Sequence, residues 1–247
     1  MNNGFEYRTR LPKLGVCLIR TFTWLTCCPG SDKVTTCINW IINVSADQVL
    51  NIHGYTLNGN RYLNVSNRCN LYCHFCPRMD NEWNVKGYEL NLKGEPSAEE
   101  LIAAAGDLSE FQEIVFCGLG EPTIRLQTIM EVGKMLRSRG ARIRLNTNGL
   151  GNQYHGRDIT PDLKGAVDVM SISLNAQDAA TYEKHCLPRK PDSYPALLDF
   201  VRCAKQQGFE ISLTAVAGLE GVDMAVCEQI ARNLGVGFRG RTLNDVG

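Results

Sequence analysis

The sequence predicts an α/β domain in which helices alternate with the strands of a parallel sheet. Three observations support this prediction. The chain has 247 residues, enough to bury one core of domain size; short apolar runs bounded by turn residues recur along it; and amphipathic segments of helical length separate those runs. Six such units fit a partial (β/α)6 TIM-type barrel, although a doubly wound open sheet would produce the same alternation.

The regular pattern begins with a strand at residues 62–65, which leads directly into a cysteine-rich loop. The capping box Ser97-x-x-Glu100 then begins a helix over residues 97–108, because each of these two side chains accepts a hydrogen bond from the backbone N–H of the other residue. Residues 113–116 follow as an apolar run between turn residues, which predicts the second strand.

The second half of the chain continues the alternation. An amphipathic helix over residues 123–139 ends at Gly140, a residue type that suits the end of a helix. The remaining predicted elements are, in order, strands at residues 143–148 and 167–174, helices at 178–186 and 193–207, a strand at 211–216, a helix at 224–234 and a strand at 237–243. In a barrel, functional residues would lie at the carboxyl ends of these strands.

Residues 1–54 are predicted to form an N-terminal extension, and residues 55–247 the core domain. The extension contains four cysteines whose spacing matches no metal motif: Cys17, Cys27, Cys28 and Cys37. We expect buried or incidental thiols there, which is the usual state of free cysteine. An auxiliary metal cluster is the alternative.

Composition narrows the classes of function. The 26 basic and 26 acidic residues cancel, so no basic stripe argues for nucleic-acid binding. The 11 cysteines are odd in number and clustered, unlike a secreted disulfide framework, and we expect a reduced, cytoplasmic protein. The apolar stretch at residues 15–28 is interrupted by Arg20 and by threonines, so it predicts neither a membrane span nor a signal peptide.

The candidate functional centre is the segment C-N-L-Y-C-H-F-C at residues 69–76, which follows the first strand. Its three cysteines, Cys69, Cys73 and Cys76, have a C-x3-C-x2-C spacing. Electron-transfer clusters normally use four cysteine ligands, so a compact set of three indicates an iron–sulfur cluster with one open iron. A structural zinc site is the alternative, although such sites favour paired C-x2-C units.

With Phe75 as its aromatic residue, this pattern resembles the cluster motif of the radical S-adenosylmethionine (radical SAM) superfamily. The resemblance extends over residues 58–243 and implies the partial (β/α)6 barrel. It also implies that Cys69, Cys73 and Cys76 bind a [4Fe-4S] cluster and that S-adenosylmethionine binds the open iron, with Phe75 beside the cofactor. An electron from a donor such as flavodoxin or ferredoxin would then break S-adenosylmethionine to give a 5′-deoxyadenosyl radical.

A second motif, F-C-G-L-G-E-P at residues 116–122, lies at the end of the second strand and resembles the family's GGEP-type segment. The resemblance implies that Gly118, Gly120 and Glu121 bind the amino group of S-adenosylmethionine. Glycines would let backbone approach the ligand without side-chain obstruction. The motif departs from its commonest form at Leu119, and a plain strand-to-helix turn is the alternative.

Two further strand ends carry polar residues. The T-N-G segment at residues 147–149 resembles a family segment near the methionine moiety, which implies a role for Asn148, although Asn-Gly is also an ordinary turn signal. At the end of the fourth strand, Ser173 and Asn175 share one face. The resemblance implies that polar residues here bond the ribose or carboxylate of the cofactor. A turn-capping Asn175 is the competing interpretation.

Other residues near the expected site have less specific roles. The resemblance implies that Thr214 and Val216 lie near the adenine, although core packing explains Val216 equally well. Cys117 is a fourth ligand, a hydrogen-atom donor or a small buried residue, the last being the usual case. We expect His74 to point away from the cluster and assign no role to His185. Four residues are candidates for holding the substrate: Arg78, Tyr182, Arg189 and Arg239.

These motifs are most similar to those of the small radical SAM proteins encoded beside TatD-type nucleases. The leading hypothesis is an enzyme whose 5′-deoxyadenosyl radical abstracts hydrogen from an unknown small-molecule or protein substrate, with no membrane or nucleic-acid partner. One alternative is a glycyl-radical-type activase acting on a protein partner. The other is a non-catalytic iron–sulfur binding protein, which would have no affinity for S-adenosylmethionine.

Overall fold

A seven-stranded sheet with helices between its strands forms the framework of the protein. The computed structural model describes residues 52–243, so nearly all of the predicted N-terminal extension, with its four cysteines, lies outside the described residues. The strands are β1 (Gly54–Leu57), β2 (Asn60–Asn64), β3 (Asn84–Val85), β4 (Tyr88–Glu89), β5 (Ile114–Cys117), β6 (Ile143–Thr147), β7 (Val169–Ser173), β8 (Glu210–Ala217) and β9 (Gly237–Thr242). The helices are α1 (Ala98–Ala105), α2 (Leu126–Ser138), α3 (Gly151–His155), α4 (Thr160–Leu163), α5 (Ala179–Cys186), α6 (Ser193–Gln206) and α7 (Met224–Leu234).

The order of the strands distinguishes between the two α/β architectures that the sequence allows. The large sheet has the order β1-β2-β5-β6-β7-β8-β9, with β1 antiparallel to β2 and every later pairing parallel. Each new parallel strand is added on the same side, whereas a doubly wound sheet reverses its direction at a switch point. The predicted partial barrel of TIM type is therefore confirmed, with six parallel strands.

Alternation along the strands separates a helix-facing surface from a barrel interior. One row of register partners is fully apolar and joins the core beneath the helices: Leu63, Phe116, Leu145, Met170 and Ile211. Full burial of one such side chain stabilises the folded state by about 1.5–3 kcal/mol. A shift of the strand pairing by one residue, which would turn this row to the other face, is therefore strongly unfavourable. The opposite face of the same strands is left to line the interior.

Some elements escaped prediction, for identifiable reasons. The hairpin of β1 and β2 turns at Asn58 and Gly59, which both have positive φ (49° and 74°), as a two-residue hairpin turn requires. The short helices α3 and α4 have too few residues for periodicity to show. The helix predicted from residue 123 begins as a 3-10 turn at Pro122–Arg125 and becomes α2 at Leu126.

Membrane insertion finds no support in the part of the chain that the structure describes. Within residues 52–243, no helix combines the length and the apolar character that crossing a bilayer requires.

Candidate cluster and cofactor site

The carboxyl ends of the parallel strands surround a cavity of about 240 Å³. The cysteine loop closes one side of this cavity, and the ends of β5, β6, β7, β8 and β9 form the remainder. Every residue predicted to bind metal or cofactor lines it: Cys69, Cys73, Phe75, Cys76, Gly118, Gly120, Glu121, Asn148, Ser173 and Asn175. Four motifs that are distant in the sequence therefore meet at one place.

The cysteine loop is held by backbone bonds to the segment after α5. The N–H of Tyr72 donates to the carbonyl oxygens of Cys186 (3.1 Å) and Leu187 (3.2 Å), and the N–H of His74 donates to His185 (3.2 Å). The N–H of Arg189 donates in the opposite direction, to the Asn70 carbonyl (3.2 Å). A loop without regular secondary structure thus has a defined conformation, because its backbone groups are paired.

Burial makes the three thiols weaker acids than an exposed cysteine. Burial, followed by the nearby Glu121 carboxyl, raises the pKa of Cys69 to about 12. The pKa of Cys73 is raised by its hydrogen bond with Cys186 and by burial, and the pKa of Cys76 is raised by burial. Because metals bind the thiolate form, loading of a cluster must expel these protons.

The three sulfurs do not form a site for a single metal ion. Among residues 52–243, no three His, Cys, Asp or Glu side chains converge on one ion position. A cubane cluster has a different requirement, because each thiolate binds a different iron and the sulfurs must lie apart. The three thiols line one cavity, and cysteine sulfur is the ligand type that such clusters use.

The two glycines of the second motif are needed because protein backbone lies against them. A Cβ on Gly118, which has φ of 137°, would lie 2.7 Å from Asn64 Oδ1. A Cβ on Gly120 would overlap the carbonyl oxygens of Ser66 and Arg68. The glycines therefore allow close approach of the segment that enters the cysteine loop. Both also line the cavity, and their contact with S-adenosylmethionine stays a prediction.

Glu121 is a fully buried carboxyl whose two oxygens are both bonded to the protein. Oε1 accepts from the backbone N–H (3.0 Å) and hydroxyl (2.6 Å) of Thr123 and from the hydroxyl of Thr147 (2.7 Å). Oε2 accepts from the backbone N–H of Asn148 (2.7 Å). Burial raises the pKa of Glu121, and these hydrogen bonds oppose that effect. This side chain positions the end of β6, and its predicted contact with S-adenosylmethionine stays a prediction.

Asn148 connects the end of β6 to the cysteine loop. Its Nδ2 donates to Asn70 Oδ1 (2.6 Å) and lies 3.9 Å from Cys69 Sγ, while its Oδ1 accepts from the N–H of Leu150 (3.0 Å). The asparagine therefore serves the turn and contacts a predicted cluster ligand at the same time. A hydrogen bond to a cluster sulfur is one of the features that set the potential of such clusters.

Asn175 differs from Asn148 because one of its polar atoms is unpaired. It is 3% exposed and has a left-handed backbone with φ of 61°. Its Nδ2 donates to Cys186 Sγ (3.7 Å), but its buried Oδ1 has no partner among the described residues. An unpaired buried acceptor is unfavourable by about 1–3 kcal/mol, and a donor from a ligand in the cavity would remove that penalty.

The interior wall contains polar residues that sequence reasoning missed. Asn146 Nδ2 lies 3.6 Å from Cys117 Sγ, and both residues line the cavity, so Cys117 faces the interior and not the helix-side core. Deeper in the barrel, Arg144 bonds the hydroxyl of Tyr62 (3.2 Å) and pairs with Glu113 (3.0 Å). The sequence could have identified Asn146 as a cavity residue, because it precedes Asn148 by two residues and therefore lies on the same face of the strand.

The substrate candidates do not lie together. Arg239 lines the cavity, together with Arg241, Thr214 and Val216. Arg78 and Arg189 instead line a groove on the outer side of the cysteine loop, and Tyr182 is fully buried. Of the four candidates, only Arg239 lines the barrel cavity, and a role in holding the substrate stays a prediction for all of them.

Two further residues that contact the cysteine loop, His185 and Cys186, could not be identified from the sequence. His74 Nε2 lies 2.6 Å from His185 Nδ1, and His185 Nε2 contacts the Glu220 carbonyl (2.7 Å). His74 thus points away from the cavity, as expected, but it has a partner. Cys186 lies against Cys73 and comes from the end of α5, where no spacing relates it to the other cysteines.

The comparisons with known proteins agree with this geometry. The family model described as the radical SAM superfamily matches residues 63–234. The chain therefore belongs to the radical SAM superfamily, as the cysteine motif predicted. The similarity to TatD-linked members stays a prediction.

Individual relatives share only part of their length with this chain. The tungsten-containing aldehyde ferredoxin oxidoreductase cofactor-modifying protein of Pyrococcus furiosus is 32% identical over 90 residues, which are 36% of this chain and 23% of that protein.

Solved structures share the fold at low sequence identity. Streptococcus suis SuiB bound to its precursor peptide SuiA superposes with a TM-score of 0.57 at 14% identity, over 74% of this chain and 38% of SuiB. Methylornithine synthase (PylB) superposes with a TM-score of 0.50 at 17% identity, over 74% of this chain and 53% of PylB.

Proposed function

We propose that this chain is a radical SAM enzyme that binds a [4Fe-4S] cluster through Cys69, Cys73 and Cys76. In this proposal it cleaves S-adenosylmethionine reductively, and the resulting 5′-deoxyadenosyl radical abstracts hydrogen from an organic substrate. One observation carries the proposal: the three thiols and the polar ends of β5, β6 and β7 line one cavity. Membership of the superfamily supports the same chemistry.

The residues present fit the two groups that the family implies. The three thiols offer sulfur ligands from a single loop, which is the ligand type that iron–sulfur clusters use. The unpaired Asn175 Oδ1 offers an acceptor in the lining of the same cavity. When bound, the cluster supplies one low-potential electron and an open iron for S-adenosylmethionine.

The chain's own contribution is positioning, proton release and exclusion of water. The cysteine thiols give up their protons when the cluster is loaded. Glu121 holds the backbone of Asn148, whose amide in turn holds Asn70 beside Cys69. This arrangement limits movement of the loop that carries the ligands, and such limits are how a protein orients a reactive cofactor.

The polar and charged residues at the ends of β7 and β9 would bind the organic part of S-adenosylmethionine. Asn175 Oδ1 can accept a hydrogen bond from its ammonium or ribose hydroxyl groups, and Ser173 lies beside it on the same face. The cationic side chains Arg239 and Arg241 on β9 can bind a carboxylate of the cofactor or of an acidic substrate. Val216 and Leu119 contribute apolar surface to the same cavity.

The proposal is tested by reconstituting the full chain anaerobically with iron and sulfide and measuring 5′-deoxyadenosine after addition of dithionite and S-adenosylmethionine. We expect product from the native protein and none from Cys73→Ala. Cys203→Ala, which removes a cysteine remote from the cavity, is the matched control and should retain activity. A native protein that holds a four-iron cluster but neither binds nor cleaves S-adenosylmethionine would favour the non-catalytic iron–sulfur protein.

A further inference from the structure

The cysteine loop has a second surface, on the side that faces away from the barrel cavity. A groove of about 490 Å³ lies there, and its lining includes Cys69, Arg78, Arg189 and Lys190. Cys69 also lines the barrel cavity. One predicted cluster ligand therefore lies between the interior, where S-adenosylmethionine is proposed to bind, and the outer surface.

Large apolar side chains are exposed around this groove. Tyr72, Tyr154 and Leu187 are 42%, 40% and 45% exposed. Tyr154 lines the groove, and Tyr72 is bonded through its backbone to Leu187. Isolated exposed apolar residues are ordinary, but a group of aromatic and aliphatic side chains beside arginines is the composition of a protein-binding surface.

The charge of the same surface is positive. The Arg78 guanidinium donates to the carbonyl oxygens of Asn67 (2.9 Å) and Leu71 (3.0 Å). Arg189 lies over the ring of Tyr72 at 4.5 Å, and Lys190 donates to the Gln153 carbonyl (2.8 Å). All of these partners are uncharged, so the positive charges of Arg78, Arg189 and Lys190 are not neutralised by them.

Arg68, a fourth cation of the groove, pairs with the carboxylate of Glu95 (2.7 Å). Among residues 52–243, Arg78, Arg189 and Lys190 form no ion pair, and the lining of the groove contains no Asp or Glu. The chain as a whole has no net charge, so this positive charge is local.

We propose that this surface, the outer loop surface formed by Tyr72, Arg78, Tyr154, Leu187, Arg189 and Lys190, docks a small acidic electron-carrier protein. The inference rests on the proposed function, because only a protein that must receive electrons at a buried cluster needs such a partner. A carrier docked here would deliver one electron through Cys69 while the barrel cavity remains occupied. Weak electron-transfer complexes use small contact areas, and opposite charge raises their association rate.

The test measures reduction of the cluster itself, which does not require cleavage of S-adenosylmethionine. Enzymatically reduced flavodoxin is mixed with the reconstituted protein, and the loss of cluster absorbance gives a second-order rate constant. We compare the native protein with Arg189→Glu/Lys190→Glu. The matched control, Lys134→Glu/Lys164→Glu, makes the same charge change on exposed residues away from the loop.

We expect Arg189→Glu/Lys190→Glu to lower the rate constant by about tenfold or more at low ionic strength, in the range that electrostatic steering provides. The difference should shrink as salt screens the charges. The extent of cluster reduction by dithionite, which needs no docking site, should be equal in all three proteins. Equal reduction would show that both variants are folded and contain the cluster.

Equal rate constants with flavodoxin in the native protein and in Arg189→Glu/Lys190→Glu would overturn the docking surface. A native protein whose cluster flavodoxin reduces through this surface, but which leaves S-adenosylmethionine intact, would instead overturn the proposed function and leave the docking surface in place. An equal loss in Lys134→Glu/Lys164→Glu would show that overall charge, and not this surface, controls the encounter.

Discussion

The polar residues that line the barrel cavity form two groups, which differ in how their atoms are paired. In the first group, which we call the scaffold wall, both oxygens of Glu121 and both polar atoms of the Asn148 side chain are bonded to the protein. In the second group, the buried Oδ1 atoms of Asn146 and Asn175 have no partner among the described residues. The scaffold wall supports the metal ligands, and the second group is where we expect the organic ligand to bond.

The largest effect should come from the metal ligands on the scaffold wall. Even partners of metal ligands contribute about 10–100-fold to metal affinity, so removal of a ligand in Cys73→Ala should weaken cluster binding by more than about 100-fold and leave little iron bound. Iron and sulfide per chain after desalting measure this effect. Full retention in Cys73→Ala would mean that Cys73 is not a ligand, and Cys186, which lies against it, would be the next cysteine to replace.

Loss of the central carboxyl of the scaffold wall should destabilise the protein without requiring any cofactor. Glu121→Ala leaves the hydroxyl and N–H donors of Thr123, Thr147 and Asn148 without their acceptor, so we expect the free energy of unfolding to fall by about 2–4 kcal/mol. Urea denaturation of the metal-free protein measures this. Unchanged stability would show that water replaces the carboxyl and that the wall is less rigid than described.

The second group of polar residues should respond in the reverse manner. Asn175→Gly removes the unpaired oxygen, and glycine tolerates the positive φ at this position, so stability should change little. Affinity for S-adenosylmethionine should fall by about tenfold, the value of one hydrogen bond to a polar or charged group. Equilibrium dialysis with the cluster-loaded protein measures the affinity. A large loss of stability with unchanged affinity would place Asn175 in the scaffold.

The smallest effect concerns pH. Because burial raises the pKa of Glu121, protonation of this group stabilises the folded state, and that contribution is complete below the ordinary pKa of about 4.3. It is lost as pH rises through the folded-state pKa. The native protein should therefore lose stability relative to Glu121→Gln as pH rises from about 4 to about 7, by about 1.4 kcal/mol for each pH unit that separates the folded-state pKa from the ordinary one. Denaturation at several pH values checks the sign, which a lowered pKa would reverse.

Local signals predicted the strands and the ligand loop well. The helix at residues 224–234 agrees in full with Met224–Leu234, and all six predicted strands occur as the parallel strands of the sheet. These elements follow from periodicity, caps and turn residues, which act over a few residues. The three cysteines and the glycine segment were recognisable for the same reason.

Contacts between distant segments were beyond local reasoning. Cys186 and His185 reach the cysteine loop only because α5 ends beside it, and nothing in their neighbouring residues indicates this. The close packing of Gly120 against the backbone of residues 66 and 68 could not be predicted from the glycine motif. The position of Arg78 and Arg189 in the outer groove could not be predicted either, because charge alone does not tell which side of a loop a side chain occupies.

The most direct test of the central claim is the electron paramagnetic resonance spectrum of the dithionite-reduced, reconstituted protein with and without S-adenosylmethionine. If three cysteines leave one iron open, S-adenosylmethionine should bind that iron and change the g values of the reduced cluster, and Asn175→Gly should need about tenfold more ligand for the same change. A spectrum that S-adenosylmethionine leaves unaltered, in a protein with an intact four-iron cluster, would contradict the claim.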